Sequence, residues 1–397
     1  MAKPKIRFKG YQDDWEQRKL GEVFRERIER AAGDEELLSV TIANGVIRQA
    51  DSEKRNIASE DKKNYKVVHQ GDVPYNSMRM WQGAVGNSEY CGIVSPAYTV
   101  LIPTQEANGK FFMELFKKEN SLKIFQRWSQ GLTSDTWNLK YPVLSTIEFY
   151  IPKIDEQNKI ATYFTTLDHL ITLHQRKCDE AKKLKKFMLQ KMFPQNGSLV
   201  PEIRFDGFTD DWEQRKLGEI ATETYGGGTP KTSNEEFWKG DIPWIQSSDL
   251  IDECLFDVRP RKCISQEAVS KSATKLVPQN SIAIVTRVGV GKLAFMPFSY
   301  ATSQDFLSLS GLKIDPEFTV YALYKMTQSV SNEVQGTSIK GVTKDELLAK
   351  KIIFPSCNEQ KKIGAYLHNL DHLITLHQQK CDDLKNLKKY MLQNMFI

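Results

Sequence analysis

At 397 residues, 40% hydrophobic and 26% charged, the chain has the makeup of a globular protein of two or three domains. A net charge of +5 permits a polyanionic partner without demanding one. No stretch approaches the roughly 18 apolar residues of a membrane span, and MAKPKIRFKG has no apolar leader core. No membrane attachment and a cytoplasmic location are therefore expected.

Taken in chain order, the first element is the flank Pro4–Val23, PKIRFKGYQDDWEQRKLGEV. It returns as Pro201–Ile220, PEIRFDGFTDDWEQRKLGEI, matching at 15 of 20 positions with an offset of 197. A repeat of this kind governs the whole reading of a fold. A variable block, 24–150, follows. Its short apolar runs, such as VVHQGDVPYNS and YTVLIP, are separated by Gly, Pro, Asn and Ser, the texture of mixed, mostly β structure. A helical stretch is expected late in the block at Phe111–Trp128. The strand-like IEFYI then ends at Pro152, and a helix beginning EQ-x-K-I follows.

Next comes the most faithful repeat. Leu167–Phe193, LDHLITLHQRKCDEAKKLKKFMLQKMF, recurs as Leu370–Phe396 at an offset of 203, with six of 27 positions changed. Steps of three and four select a seam of Leu167, Ile171, His174, Cys178, Ala181, Leu184, Met188 and Met192. The second copy gives Leu370, Ile374, His377, Cys381, Leu384, Leu387, Met391 and Met395. Each copy would span about 40 Å. A long basic helix is poorly stable alone, so the simplest partner for one copy is the other. Arg176–Lys191 carries seven basic and two acidic residues, and a solvated helix face is the commoner meaning of such a run.

A Pro-Gln-Asn-Gly-Ser joint at 194–198 stops the first long helix, and the pattern then repeats. The second variable block, 221–353, shares little sequence with the first but has the same texture, with SIAIVTRV, FLSLSG and a helical stretch at Pro316–Val334. The expected domains are 1–154 and 201–354 as two unlike heads, with helical spacers at 155–193 and 355–397 and a linker at 194–200. The expected class is α/β (α+β), with internal pseudo-two-fold symmetry. Drift after a simple duplication would not spare flanks and helices while erasing only the middles.

Catalytic patterns fail one by one. Gly289–Val290–Gly291–Lys292 lacks the first glycine of a phosphate-binding loop, and Gly289-x-Gly291-x-x-Ala294 lacks the helix that should follow a dinucleotide loop. His169/His174 and His372/His377 are five apart, not four. No G-x-S-x-G elbow occurs, and no Asp/Asn-Pro-Pro-aromatic loop. Cys91, Cys178, Cys254, Cys263, Cys357 and Cys381 form no CxxC pair and no metal-ligand spacing, so a reduced chain without a metal is expected.

The variable blocks do carry groups suited to base edges and phosphates. In the first, GDVPYNSMRMWQGAVGNS presents Tyr75, Asn76, Ser77, Arg79 and Gln82, and SQGLTSDTWN adds Thr133 and Ser134. Arg to guanine and Asn or Gln to adenine are strong major-groove pairings. In the second, Gly227 and Gly228 lead into Thr229 and Lys231, where bare backbone could approach phosphate. Gln246, Ser247, Ser248, Arg287, Gln304, Thr337, Ser338 and Lys340 complete that set. Any one of these residues, taken singly, is more often an ordinary solvated loop residue, and the case rests on having two such sets, one per head.

Together the motifs resemble the specificity (S) subunit of type I restriction–modification systems over essentially the whole chain. They are DDWEQRKLGE in each half, GDVPYNSMRMWQGAVG…GIVSPAY, GGGTPKT…FWKGDIPWIQSSDL, and the EQ-x-K-I…LD-x-x-I…LK(K/N)LKK-x-MLQ-x-MF tails, with Ala181 replacing a leucine in the first tail. The resemblance implies two target recognition domains, each reading half of a split site on double-stranded DNA, on an antiparallel coiled coil. It implies a single copy of this non-catalytic chain bound to two methyltransferase subunits and two restriction subunits. S-adenosylmethionine, ATP and Mg would sit on those partners, with no cofactor on this chain. Unlike heads imply an asymmetric site. Two other readings stay open: a duplicated scaffold for protein partners without base readout, and a stand-alone nuclease or methyltransferase.

Overall fold

Each copy of the flank buries its tryptophan, Trp15 or Trp212, and runs on into a short strand. Glu16–Lys19 pairs antiparallel with Glu148–Ile151, and Glu213–Lys216 with Lys351–Phe354. The two segments that repeat on either side of a variable block are therefore hydrogen-bonded partners. A computed structural model of the chain describes all residues except 1–2, 34, 53–61, 196 and 335–340. The chain divides into two compact units, Met1–Gln175 with Gln379–Ile397, and Arg176–Gln378.

In the first unit, Phe24–Glu26, Tyr98–Pro103 and Val73–Asn76 form an antiparallel sheet with Tyr98–Pro103 central. Leu38–Thr41 pairs with Gly45–Arg48, and Lys66–Val68 with Gly92–Val94. The expected helical stretch appears as Gly109–Lys117 and Glu119–Trp128, parted by an extended Lys118. Phe111, Phe112, Leu115, Phe116 and Phe125 on those helices bury themselves with Trp15, Phe164 and Phe396.

The second unit is built differently. Ala221–Gly226, Phe306–Leu312, Ser281–Val285 and Leu293–Met296 make a four-stranded antiparallel sheet in that order. A second sheet places Ile242–Ile245 between Lys262–Ile264 and the parallel Ala301–Thr302. Pro316–Val334 is the expected helix. Gly289–Lys292 turns a β-hairpin between Ser281–Val285 and Leu293–Met296, with Gly289 and Gly291 at φ 91° and 100°. That is not the strand-to-helix turn a nucleotide loop requires.

The long helices run Ile154–Lys191 and Cys357–Asn394, 38 residues each, about 57 Å at 1.5 Å per residue. The short helix expected ahead of each long one is part of it, because no Pro or Gly interrupts 154–167. Gly364 in the second copy does not break the helix either. It lets the helix approach Pro316–Val334, for a Cβ there would lie 2.8 Å from the Phe318 amide nitrogen.

The repeated EQ at each helix start is explained by its contacts. Glu156 accepts both Nε and Nη2 of Arg7 at 2.7 Å, and Glu359 takes Arg204 at 2.7 and 2.8 Å. Gln157 accepts from the Asn108 amide and donates to Pro152 O. Gln360 accepts from the Asp315 amide and donates to Pro355 O. Each Arg–Glu pair ties the flank to the helix, and each glutamine ties the helix to the head.

The seam needs one correction per copy. Leu167, Cys178, Leu370, Cys381 and Leu384 are buried, and Ile171, His174, Met188, Ile374, His377 and Met391 are half-buried. Leu184 and Leu387 are exposed at 40% each, and Lys185 and Lys388 take their places. Alternation of threes and fours after Ala181 reaches position 185, not 184, so geometry overrides hydrophobicity. The lysine stems pack inward and their ammonium groups find acids. In the first unit Lys388 Nζ lies 2.7 Å from Asp168 and 3.0 Å from Glu114. In the second, Lys185 lies 2.5 Å from Asp371, which also accepts the Tyr321 hydroxyl at 2.6 Å. Cys381 donates to Gln175 Oε1 and Cys178 to Gln378 Oε1. Within each unit, contacts rise along one helix as they fall along the other, so the packing is antiparallel.

The end of each long helix is capped by a lysine. Lys118 Nζ donates to Phe396 O at 2.9 Å, and Lys325 Nζ to Phe193 O at 3.1 Å. A cation at the carbonyl end satisfies orphaned acceptors and complements the helix dipole. Burial lowers both lysine pKa values, Lys325 to about 8.

Candidate nucleic-acid interface

In the first unit the candidate loop leaves the strand Val73–Asn76. Asn76 Oδ1 accepts the Met78 amide at 3.0 Å and turns the chain, so Arg79 emerges exposed. Met80–Gln82 is a single 3-10 turn closed by Gly83 at φ 86°. Gln82 and Asn76 are half-buried, and the Arg79 guanidinium has no partner among the described residues. The 129–138 loop joins this one. Gln130 and Asn138 bridge each other, Trp137 packs edge-on to Trp81 at 5.3 Å, and the Leu139 amide donates to Ser77 O. Thr133 and Ser134 stand exposed at its tip beside a wholly exposed Leu132. The fold thus brings Asn76, Arg79, Gln82, Thr133 and Ser134 to one region.

Two expected readers are not available there. Tyr75 is fully buried and its hydroxyl donates to Leu139 O at 3.0 Å, while Ser77 is buried against Thr99 Oγ1 at 2.8 Å. Alternation along the strand turns Tyr75 into the core, and burial lifts its pKa far above the usual phenol range. Both residues support the loop from beneath.

In the second unit the candidate residues also converge. The Ser303 amide donates to Ile245 O, and Thr229 Oγ1 donates to Gln304 Oε1 at 2.6 Å. The Thr286 amide donates to Asp305 O, which sets the exposed Arg287 near the same strand ends. Gly289 approaches Ser247, whose Cβ would lie 3.9 Å from a Cβ added at the glycine. Gln246 precedes the Ser247–Asp249 turn and accepts the Asp249 amide at its backbone carbonyl; Gln246 and Ser247 are half-buried, and Ser248 and Lys231 are exposed. Thr337, Ser338 and Lys340 lie outside the described residues.

The glycine run has a different role from the one expected. The Gly228 amide donates to Thr302 O, and its carbonyl accepts Trp244 Nε1 and Thr274 Oγ1. A Cβ at Gly227 would fall 1.8 Å from Ser303 O, and one at Gly228 2.6 Å from the Ala273 carbonyl carbon. These glycines let strands pack closely, and the Gly228 amide is already bonded within the protein. Lys262, which the sequence reading passed over, lies over Trp238 and Trp244 at 5.4 and 5.9 Å. The interleaving of FWKGDIPW with a basic edge strand was the available signal.

Among the described residues, no group of three or more His, Cys, Asp or Glu side chains is placed to hold a metal ion. No helix among them is long and apolar enough to cross a membrane.

The chain is 27% identical over 191 residues to the type I restriction enzyme MjaIX specificity subunit of Methanocaldococcus jannaschii, covering 47% of this chain and 44% of that one. It is 34% identical over 172 residues to the EcoR124I/EcoR124II specificity subunit of Escherichia coli, covering 41% of each. The matched region is thus less than half of either relative. The crystal structure of the type I restriction–modification system S subunit from M. genitalium superposes with a TM-score of 0.65 at 14% identity, over 100% of this chain and 99% of that one. That likeness speaks for the fold. The family model for the type I restriction modification DNA specificity domain matches twice, at residues 12–183 and 209–386, so that both halves of the repeat are accounted for and the chain belongs to this family.

Proposed function

We propose that this chain is the DNA-reading subunit of a type I restriction–modification complex, each unit recognising one half of a split, asymmetric site on double-stranded DNA. The observation that carries the reading is a matched scaffold bearing two unlike heads, each with its polar loops gathered on one region. Loops supply sequence choice through base edges, and lysines and arginines supply salt-dependent affinity through phosphates. The chain itself is non-catalytic. S-adenosylmethionine, ATP and Mg belong to the partners, and the chain works in the cytoplasm as a single copy in its complex.

The long helices set the gap between half-sites and dock two methyltransferase subunits, with two restriction subunits joining them. Exposed apolar side chains on the two long helices support the docking role. Leu184, Phe187 and their repeats Leu387 and Tyr390 are 40% to 58% exposed, as are Leu373 and Leu376 at 42% and 50%. Large apolar side chains held in water at repeat-related positions fit two copies of one protein partner. The same side chains would serve a scaffold that reads no bases, so the test must be of sequence choice. Genome-wide adenine methylation is to be compared with and without the gene. Loss of one split, asymmetric motif is expected; an unchanged methylome from a complex that still assembles would favour the scaffold.

A further inference from the structure

In the second unit one arginine outside the expected set is held as a reading group is held. Asp249 closes the turn after Ile242–Ile245, its Oδ2 accepting the Gln246 amide at 2.9 Å. Its side chain is 2% exposed, and its Oδ1 accepts no hydrogen bond among the described residues. The cation facing that oxygen is Arg261, whose Nε lies 3.4 Å away although its side chain is 71% exposed. Arg261 Nη2 also donates to Ser248 O at 3.2 Å. A carboxylate shut off from water holds its counter-charge far more firmly than an exposed one. Arg259, two residues earlier, shows the contrast: its partner Asp257 is itself half-exposed, an ordinary solvated pair. Arg261 is thus tied along its Nε edge while Nη1 is left without a partner among the described residues. It also stands on a firm base, since it immediately precedes the strand Lys262–Ile264, paired to Ile242–Ile245.

We propose that Arg261, positioned by Asp249, reads a guanine in the half-site recognised by the second unit. The inference rests on the DNA-reading function proposed above. A planar guanidinium matches the paired O6 and N7 acceptors of guanine, and a side chain oriented beforehand loses less rotamer freedom on binding.

The test uses the full chain in its complex with the methyltransferase partner, and reads the methylated motif across a genome for wild type, Arg261→Ala, Arg261→Lys and Asp249→Asn. Both arginine variants should lose discrimination at one guanine by about tenfold or more, with the letters of the other half intact. The affected half should be the one that Arg287→Ala alters. Asp249→Asn should weaken the same position, and adding it to Arg261→Ala should cost nothing further. A uniform fall at all sites with every letter kept would make Arg261 a phosphate contact and overturn the proposal, as would no change or a change in both halves. Should the alanine variant fail to assemble, Arg261→Lys decides, because lysine keeps the charge for a phosphate but not the paired donors. A wild-type complex without any split motif would remove the DNA-reading function and this inference with it. A split motif left unchanged by Arg261→Lys removes the inference alone.

Discussion

Within the second unit Arg204 reaches from the flank to the start of the long helix and ends on Glu359, which is fully buried. Removing the guanidinium strands that carboxylate, so Arg204→Ala should cost about 3–5 kcal/mol, read as a lower urea midpoint. Arg204→Lys should recover only part of it, because an ammonium cannot bond both oxygens in a fork. Glu114 makes a different case. Burial lifts its pKa above the ordinary 4.5, against the pull of Lys388, whose ammonium is shared with Asp168. The folded protein then holds a proton that the unfolded chain releases. This contribution is fully present below the ordinary value and is lost as pH rises through the raised one. Thermal midpoints taken as pH rises above the ordinary carboxylate range should therefore fall less steeply for Glu114→Gln than for wild type. A steeper fall in the variant would mean that the carboxylate form is the one stabilised.

At the scale of elements, the seam shows how far periodicity can be trusted. The repeat and its three-four steps were legible, and the buried Leu167, Cys178, Leu370 and Cys381 stand where they should. The choice of Leu184 and Leu387 failed because an apolar residue was preferred to the next geometric position, where a lysine with a long stem serves as well. Leu184→Ala with Phe187→Ala should therefore cost about 1 kcal/mol or less per site, yet weaken co-purification with the methyltransferase subunit. Met192→Ala, at a 2% exposed position in the second unit's core, should cost about 2–5 kcal/mol in chemical denaturation. Comparable losses from the two sets would return Leu184 to the seam.

At the scale of the molecule, two heads on one scaffold should behave as separable readers. Arg79→Ala should relax letters in one half of the methylated motif and Arg287→Ala letters in the other. If either changed both halves, the heads would not be independent. Inserting one heptad into each long helix adds about 10 Å, the rise of about three base pairs. The gap in the motif should lengthen with its letters unchanged, and a constant gap would refute the role of the helices in setting it.

The sequence alone determined the two-fold plan, the unlike heads and the pairing of the long helices, because repeats and periodicity are local patterns that survive in one dimension. It also singled out the polar loops as candidates. Tertiary structure decided which loop residues face outward. Tyr75 and Ser77 are as polar as Asn76 and Arg79, and only strand alternation and the packing of Leu139 and Thr99 send them inward. Asp249 and Arg261 are twelve residues apart and unremarked as letters. They became a pair because adjacent strands brought a buried carboxylate beside an exposed guanidinium, and such a meeting depends on contacts that no local pattern records.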